Sequence, residues 1–276
     1  MNDTLEIQVT RRVAVVRLAR EKVRNAFNEA MIGELRGAFE RLGADPGVRA
    51  IVLAARGPAF CAGADLDWMR RMAGYSFDEN RADARALADM LRTIHACPKP
   101  TVARVHGDAY AGGMGLVAVC DVAVAASTAS FCLSETRLGL IPATISPYVI
   151  RAMGEQAARR YALTAERFDA AEALRLGFVH AVAPADALDA RVDAVLEALM
   201  QTSGAAVSAA KRLVREVAGR PVDDALVADT AERIAAIRCS DDGREGVRAF
   251  LDKRKPRWVS DYEAEVAAAE GDDEEM

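Results

Sequence analysis

Short apolar runs bounded by polar or turn residues recur through the first half of the chain: RVAVVRL (12–18), VRAIVLAA (48–55), TVARVHG (101–107) and VAVAAS (122–127). Each is β-branched or apolar over a length that suits a strand better than a helix. The opening stretch, MNDTLEIQVTRRVAVVRLAR, alternates in the manner of two short strands. Between the first two runs, Met31, Ile32, Leu35, Phe39 and Leu42 recur at helical spacing, and Asn28 stands where an N-cap belongs. A second long helix is expected from about Asp78 to Ile94, with Leu87, Met90, Leu91 and Ile94 on one face. Strands separated by helices predict an α/β domain with right-handed crossovers between parallel strands.

From Gly154 onward the pattern turns almost wholly helical, through GEQAARRYALTA, DAAEALRLG, ALDARVDAVLEALMQT, GAAVSAAKRLVREVA and DALVADTAERIAAIRC. A break near TSGA (202–205) separates a core, 1–203, from a helical C-terminal region, 204–262. The remainder, 263–276, is an acidic tail expected to be disordered. A late helical appendage suits packing on a neighbouring subunit, so a homo-oligomer is expected.

Charge adds little once that tail is set aside. The chain carries −5, but residues 263–276 hold seven acids and no base, which leaves the body slightly positive. A near-neutral body gives no groove for nucleic acid. No apolar run approaches the ~18 residues of a membrane span, and the N-terminus lacks the basic-then-apolar order of a secretory signal. A cytoplasmic protein is expected. Five scattered cysteines without a C-x-x-C pair read as reduced packing residues. Three histidines far apart in sequence argue against a zinc site or a histidine-based triad.

Three segments have a chemical rather than a purely structural look: AFCAGADL (59–66), GDAYAGGMGLVAVCD (107–121) and ASFCLSETRLGLIPATISPY (129–148). Each also has a plain explanation. CAGAD suits a tight turn with Asp65 capping the next helix. AGGMG suits a short helix packed closely on a sheet. It lacks the Lys-Ser/Thr of a P-loop and the spacing of a dinucleotide fingerprint. Glu135, a lone acid before the turn at Gly139, suits an exposed loop.

In this order, together with RNAFN (24–28), LTAERFDAAEALRLGFV (163–179) and GREGVRAFLDKRKPRW (243–258), these segments resemble the crotonase, or enoyl-CoA hydratase/isomerase, superfamily. The resemblance implies a ββα spiral core with a helical C-terminal trimerisation region. It also implies a homotrimer or dimer of trimers acting on an acyl-CoA thioester, with coenzyme A part of the substrate and no separate cofactor or metal. In that family two backbone N–H groups hold the negative charge that develops on the thioester oxygen. The matching positions are Ala64 and Gly112. The acid that serves the α-carbon matches Glu135.

By the same resemblance, the backbone around Arg24, Ala26 and Ala62 holds the pantetheine and adenine regions, and Asp65 and Leu66 border the adenine. Phe250 and Lys253 meet the nucleotide of a neighbouring subunit, although DKRKPR also reads as a solvated basic run. The position of the hydratases' first glutamate is Gly115, which has no side chain. Either one carboxylate hydrates alone, or it shuttles a proton as in the Δ3,Δ2-enoyl-CoA isomerases; a decarboxylase or hydrolase of the same superfamily and a non-catalytic acyl-CoA-binding protein are further alternatives. PATISPYVI (142–150) and GGMGLVAVCD resemble the bacterial branch acting on methylglutaconyl-CoA or carboxygeranoyl-CoA. That implies hydration of a 3-methyl-branched substrate, with Thr144, Ser146 and Tyr148 either holding water or a distal carboxylate, or serving caps and core.

Overall fold

The computed structural model describes residues 4–262; the acidic tail, 263–276, lies outside the described residues. The strands are β1 (Leu5–Thr10), β2 (Val13–Leu18), β3 (Ala50–Ala55), β4 (Ala59–Cys61), β5 (Thr101–Val105), β6 (Asp108–Tyr110), β7 (Val122–Ala126), β8 (Ser130–Cys132), β9 (Phe168–Asp169) and β10 (Ala181–Ala183). The helices of the first part are α1 (Glu29–Ala44), α2 (Leu66–Met72), α3 (Phe77–Ala96), α4 (Gly112–Ala118), α5 (Ser146–Met153), α6 (Glu155–Thr164) and α7 (Ala170–Arg175). They are followed by α8 (Leu188–Met200), α9 (Gly204–Val217), α10 (Asp224–Cys239) and α11 (Asp241–Leu251).

Two sheets result. The larger runs β1-β2-β3-β5-β7-β10 and the smaller β4-β6-β8-β9. Three consecutive strand pairs, β3–β4, β5–β6 and β7–β8, each give their first strand to the larger sheet and their second to the smaller. The chain therefore advances as a spiral, with helices between the turns. Ladders β2–β3, β3–β5 and β5–β7 are parallel, which requires crossover connections rather than hairpins. Among the described residues, only the opening β1–β2 pair and β8–β9 are antiparallel.

Strands β1, β2, β3, β5 and β7 of the larger sheet fall where the apolar runs predict them. β3 is buried at every residue but its last, as parallel strands covered on both faces must be. Three-residue strands β4, β6 and β8 were not legible as strands. Each is too short to show a period, and its ladder comes from neighbours distant in sequence. The same holds for β9 and β10, which interrupt the region that reads as wholly helical. Asn28 caps α1 by accepting from the Met31 N–H at 2.9 Å, and α3 begins with a Ser76/Glu79 capping box.

Among the described residues, 4–97 together with Thr101–Ala194 form one compact unit, and Pro98–Pro100 with 195–262 form another. In the second, Ser203 caps α9 and donates to Asp242 at 2.6 Å. Ser208 and Lys211 donate to the carbonyls of Pro98 and Lys99. No described helix is long and apolar enough to cross a membrane.

Candidate active site

Strands β4, β6 and β8 lie side by side and parallel. The segments that leave their C-terminal ends, 62–65, 111–112 and 133–135, therefore emerge on one edge of the smaller sheet. In parallel sheets this is the edge where ligands bind. The β4–β6 register shifts between Ala59 and Cys61, just before the turn that leaves β4.

Ala64 forms an isolated parallel bridge with Phe27. The Phe27 N–H donates to Gly63 O at 2.7 Å, and Phe27 O accepts from the Asp65 N–H at 2.8 Å. In a parallel bridge of that form the intervening residue's own N–H points away from its partner. The Ala64 N–H accordingly takes no backbone acceptor among the described residues. Gly112 is the first residue of α4, where an N–H has no intrahelical acceptor and meets the positive end of the helix.

Both donors directly follow a residue with positive φ, Gly63 at 96° and Ala111 at 48°. Ala111 bears a Cβ, so its conformation is strained and must be held. Its N–H donates to Cys132 O at 2.8 Å and its O accepts from Met114 at 2.9 Å. The two turns adjoin. A Cβ on Gly63 would stand 3.1 Å from Ala111 Cβ and 3.3 Å from Tyr110 O.

Glu135 opens a short 3-10 turn, Glu135–Leu138, immediately after β8. It is not an exposed loop acid. Its Oε2 is buried with no hydrogen-bond partner among the described residues. Burial raises its carboxyl above the usual value, with a smaller opposing effect from its own backbone N–H.

Gly115 lies buried one turn into α4. A Cβ there would fall well inside van der Waals contact of Ile145 Cγ2 and 3.0 Å from Ile145 Cβ. Ile145 precedes α5 and is itself buried. The space beside Gly115 is thus filled by an aliphatic side chain.

The loop 20–27 packs against the 62–65 turn. Asp65 is buried; it caps α2 through the N–H groups of Asp67 and Trp68, and it pairs with Arg20 at 2.8 Å. Burial opposes its charge, but the bonds from Trp68, Arg20 and Asp67 prevail and hold the carboxyl below its usual value. The Asp65 side chain is therefore occupied within the fold, while Leu66 beside it is exposed. Arg20 also donates to Ala26 O, and the Ala62 N–H donates to Arg24 O at 3.0 Å. The Arg24 side chain reaches Asp108 at 3.0 Å from an exposed position.

Successive left-handed residues Arg24 and Asn25 make this loop possible. Asn25 is fully buried, accepts from the Arg20 N–H, and donates to the carbonyls of Arg56 and Ala59, both at 2.8 Å. Replacing Asn25 with Ala leaves these groups without partners and is expected to cost on the order of 3 kcal/mol. Urea denaturation measures it, and a loss below about 1 kcal/mol would show that water replaces the amide.

Phe250 is exposed near the end of α11, and Lys253 follows that helix with a left-handed φ of 52°; both belong to the second unit. Ser146 donates to Ala143 O at 2.9 Å, and Tyr148 packs against His95 with ring centroids 5.2 Å apart. All five cysteines are unbridged. Among the described residues no group of three or more His, Cys, Asp or Glu is placed to hold a metal ion. Phe27 and Ile145 escaped the sequence reading because nothing in their local pattern distinguishes them from other core residues.

A spiral that repeats strand, strand and helix, with its chemistry at the ends of the second strands, is the crotonase architecture. The chain belongs to the enoyl-CoA hydratase/isomerase family, whose model matches residues 8–261, and it is an enzyme of that family. It is 34% identical over 242 residues to enoyl-CoA hydratase AKT6-1 of Alternaria alternata, covering 84% of this chain and 79% of that one. A crystal structure of an enoyl-CoA hydratase from Shewanella pealeana superposes with a TM-score of 0.91 at 43% identity, covering 94% of this chain and 97% of the other. Pseudomonas aeruginosa AtuE gives 0.89 at 41% identity, covering 93% and 100%.

Proposed function

We propose that the protein hydrates a 2-enoyl-CoA reversibly through a thioester enolate, with Glu135 as its sole acid and base. The observation that carries this reading is the buried, unpartnered Oε2 of Glu135 on the edge where Ala64 and Gly112 present free N–H groups. In the hydration direction the Glu135 carboxylate takes a proton from water as the water oxygen bonds to the β-carbon. The carbon–carbon π electrons move toward the thioester, and the charge on its oxygen is held by the Ala64 and Gly112 N–H groups. Collapse of the enolate takes the same proton from Glu135 to the α-carbon, and the carboxylate is restored.

The aliphatic filling beside Gly115 supports a mechanism with one carboxyl, since a second acid has no room there. A 3-methyl-branched substrate such as 3-methylglutaconyl-CoA is proposed from the resemblance of PATISPYVI and GGMGLVAVCD. We place the enzyme in leucine degradation or a related branched-chain route, as a cytoplasmic homotrimer or dimer of trimers needing no cofactor beyond the coenzyme A of its substrate. In that assembly Phe250 and Lys253 meet a neighbour's nucleotide, while the backbone of Arg24, Ala26 and Ala62, with Leu66, borders the bound coenzyme. A single buried carboxyl also suits proton transfer between two carbons, so Δ3,Δ2-isomerisation is the second reading. Crotonyl-CoA, 3-methylglutaconyl-CoA and a 3-enoyl-CoA offered to the purified protein separate the two. Water addition with a branched preference supports the first, and double-bond migration without hydration replaces it with the second.

The raised carboxyl makes a further prediction. Hydration needs Glu135 ionised, so kcat/KM falls as pH drops through its elevated pKa. The acid limb of the pH profile is expected above the ordinary glutamate value of about 4.3. A limb at or below that value would show that another group controls the rate.

A further inference from the structure

The two donor segments come from different turns of the spiral, and one residue touches the geometry of both. Phe27 brackets Ala64 with its main chain, at 2.7 Å to Gly63 O and 2.8 Å from the Asp65 N–H. Its ring lies against Gly112, where a Cβ would stand 2.7 Å from Phe27 Cε2 and 3.0 Å from Cδ2. Phe27 is 1% exposed, and it is pinned from outside as well. Arg20 joins Ala26 O to Asp65 Oδ2, which clamps the residues that flank the Phe27–Ala64 bridge.

We propose that Phe27 is a positioning residue that sets the spacing between the Ala64 and Gly112 N–H groups. Its backbone registers the first donor, and its ring serves as the stop against which the second rests. The inference depends on the reading of those N–H groups as the holders of the thioester oxygen. Gly112 is then glycine for two reasons. The oxygen needs open access, and the ring of Phe27 already occupies the space a side chain would take.

A hydrophobic residue that only fills the core would affect stability without touching the chemical step. A spacer acts on the donors, and these matter most when charge has developed on the oxygen. Misplacing a reacting group by about 1 Å costs on the order of 10²-fold in rate. Phe27→Ala is therefore expected to lower kcat on crotonyl-CoA by roughly 10²-fold with KM within about threefold. Phe27→Leu, which keeps part of the ring's volume, is expected to lose roughly tenfold.

Acetoacetyl-CoA supplies a readout independent of turnover, because its enolate absorbs in the ultraviolet and forms when the oxygen's charge is stabilised. The parent is expected to bind it largely as the enolate, Phe27→Leu less so and Phe27→Ala least. Gly112→Ala is expected to cost less in the Phe27→Leu background than in the parent, because the added methyl no longer meets Cε2. Should Phe27→Ala not fold, Phe27→Leu and the double variant carry the test. If the parent binds the enolate but Phe27→Leu keeps both that absorbance and its kcat, or if the two substitutions are simply additive, the spacer role is wrong. A parent that shows no enolate absorbance would instead remove the donor reading, and this inference with it.

Discussion

Glu135→Gln is expected to lower kcat/KM for hydration by about 10²–10⁴-fold, the usual contribution of a positioned acid–base group. Gln keeps the shape and the hydrogen-bonding capacity but can neither take water's proton nor return it to the α-carbon. The same change should make the protein more stable at neutral pH. The carboxyl is buried and its Oε2 unpartnered, so its pKa is raised in the folded protein. A raised acid contributes stability that is fully present below its unfolded pKa and is lost as pH rises through the folded one. As pH rises through the raised pKa the carboxyl loses that stability, and the neutral amide does not. The gain in Tm should shrink below about pH 4, where the parent's carboxyl is protonated in both states. Steady-state assays and thermal melts at two pH values check both halves. A variant within tenfold of the parent in rate would remove Glu135 from the chemistry.

Gly115→Glu, which restores the two-glutamate pattern on paper, is expected to damage the protein rather than speed it. The new Cβ would collide with Ile145 and stand 3.6 Å from Leu91 Cδ2. Ile145 is β-branched and itself buried, so it has little freedom to move aside. Overpacking and a buried carboxylate together should cost at least about 3 kcal/mol. Relief should follow from the opposite side: Gly115→Ala combined with Ile145→Ala should be more stable than Gly115→Ala alone. Chemical denaturation reads both effects. A Gly115→Glu protein as stable as the parent and faster at hydration would show that the space beside α4 opens in solution.

The same two residues show how far the sequence could be read. Gly115 was recognisable as the place of a missing acid, but nothing local revealed what fills the space. Ile145 is one more apolar residue in PATISPYVI until the fold brings α5 against α4. Asp65 was legible in part: its capping role follows from its place before LDWMRRM, whereas its ion pair with Arg20 spans two turns of the spiral. Glu135 shows the reverse. A single glutamate before a glycine turn suggests an exposed loop, and only burial beside the end of β8 makes it a candidate acid.

The sequence by itself determined the long elements and the family. Apolar runs of five or more residues mark strands β2, β3, β5 and β7 of the larger sheet and the helices α1 and α3, because burial on one or both faces leaves a repeating signature in the chain. Tertiary structure alone decided the smaller sheet and the spacing of the donors. Strands of three residues have no period of their own and exist only through their parallel neighbours. The site assembled at their ends depends on contacts such as Phe27 with Ala64 and Gly112, whose partners are far apart along the chain.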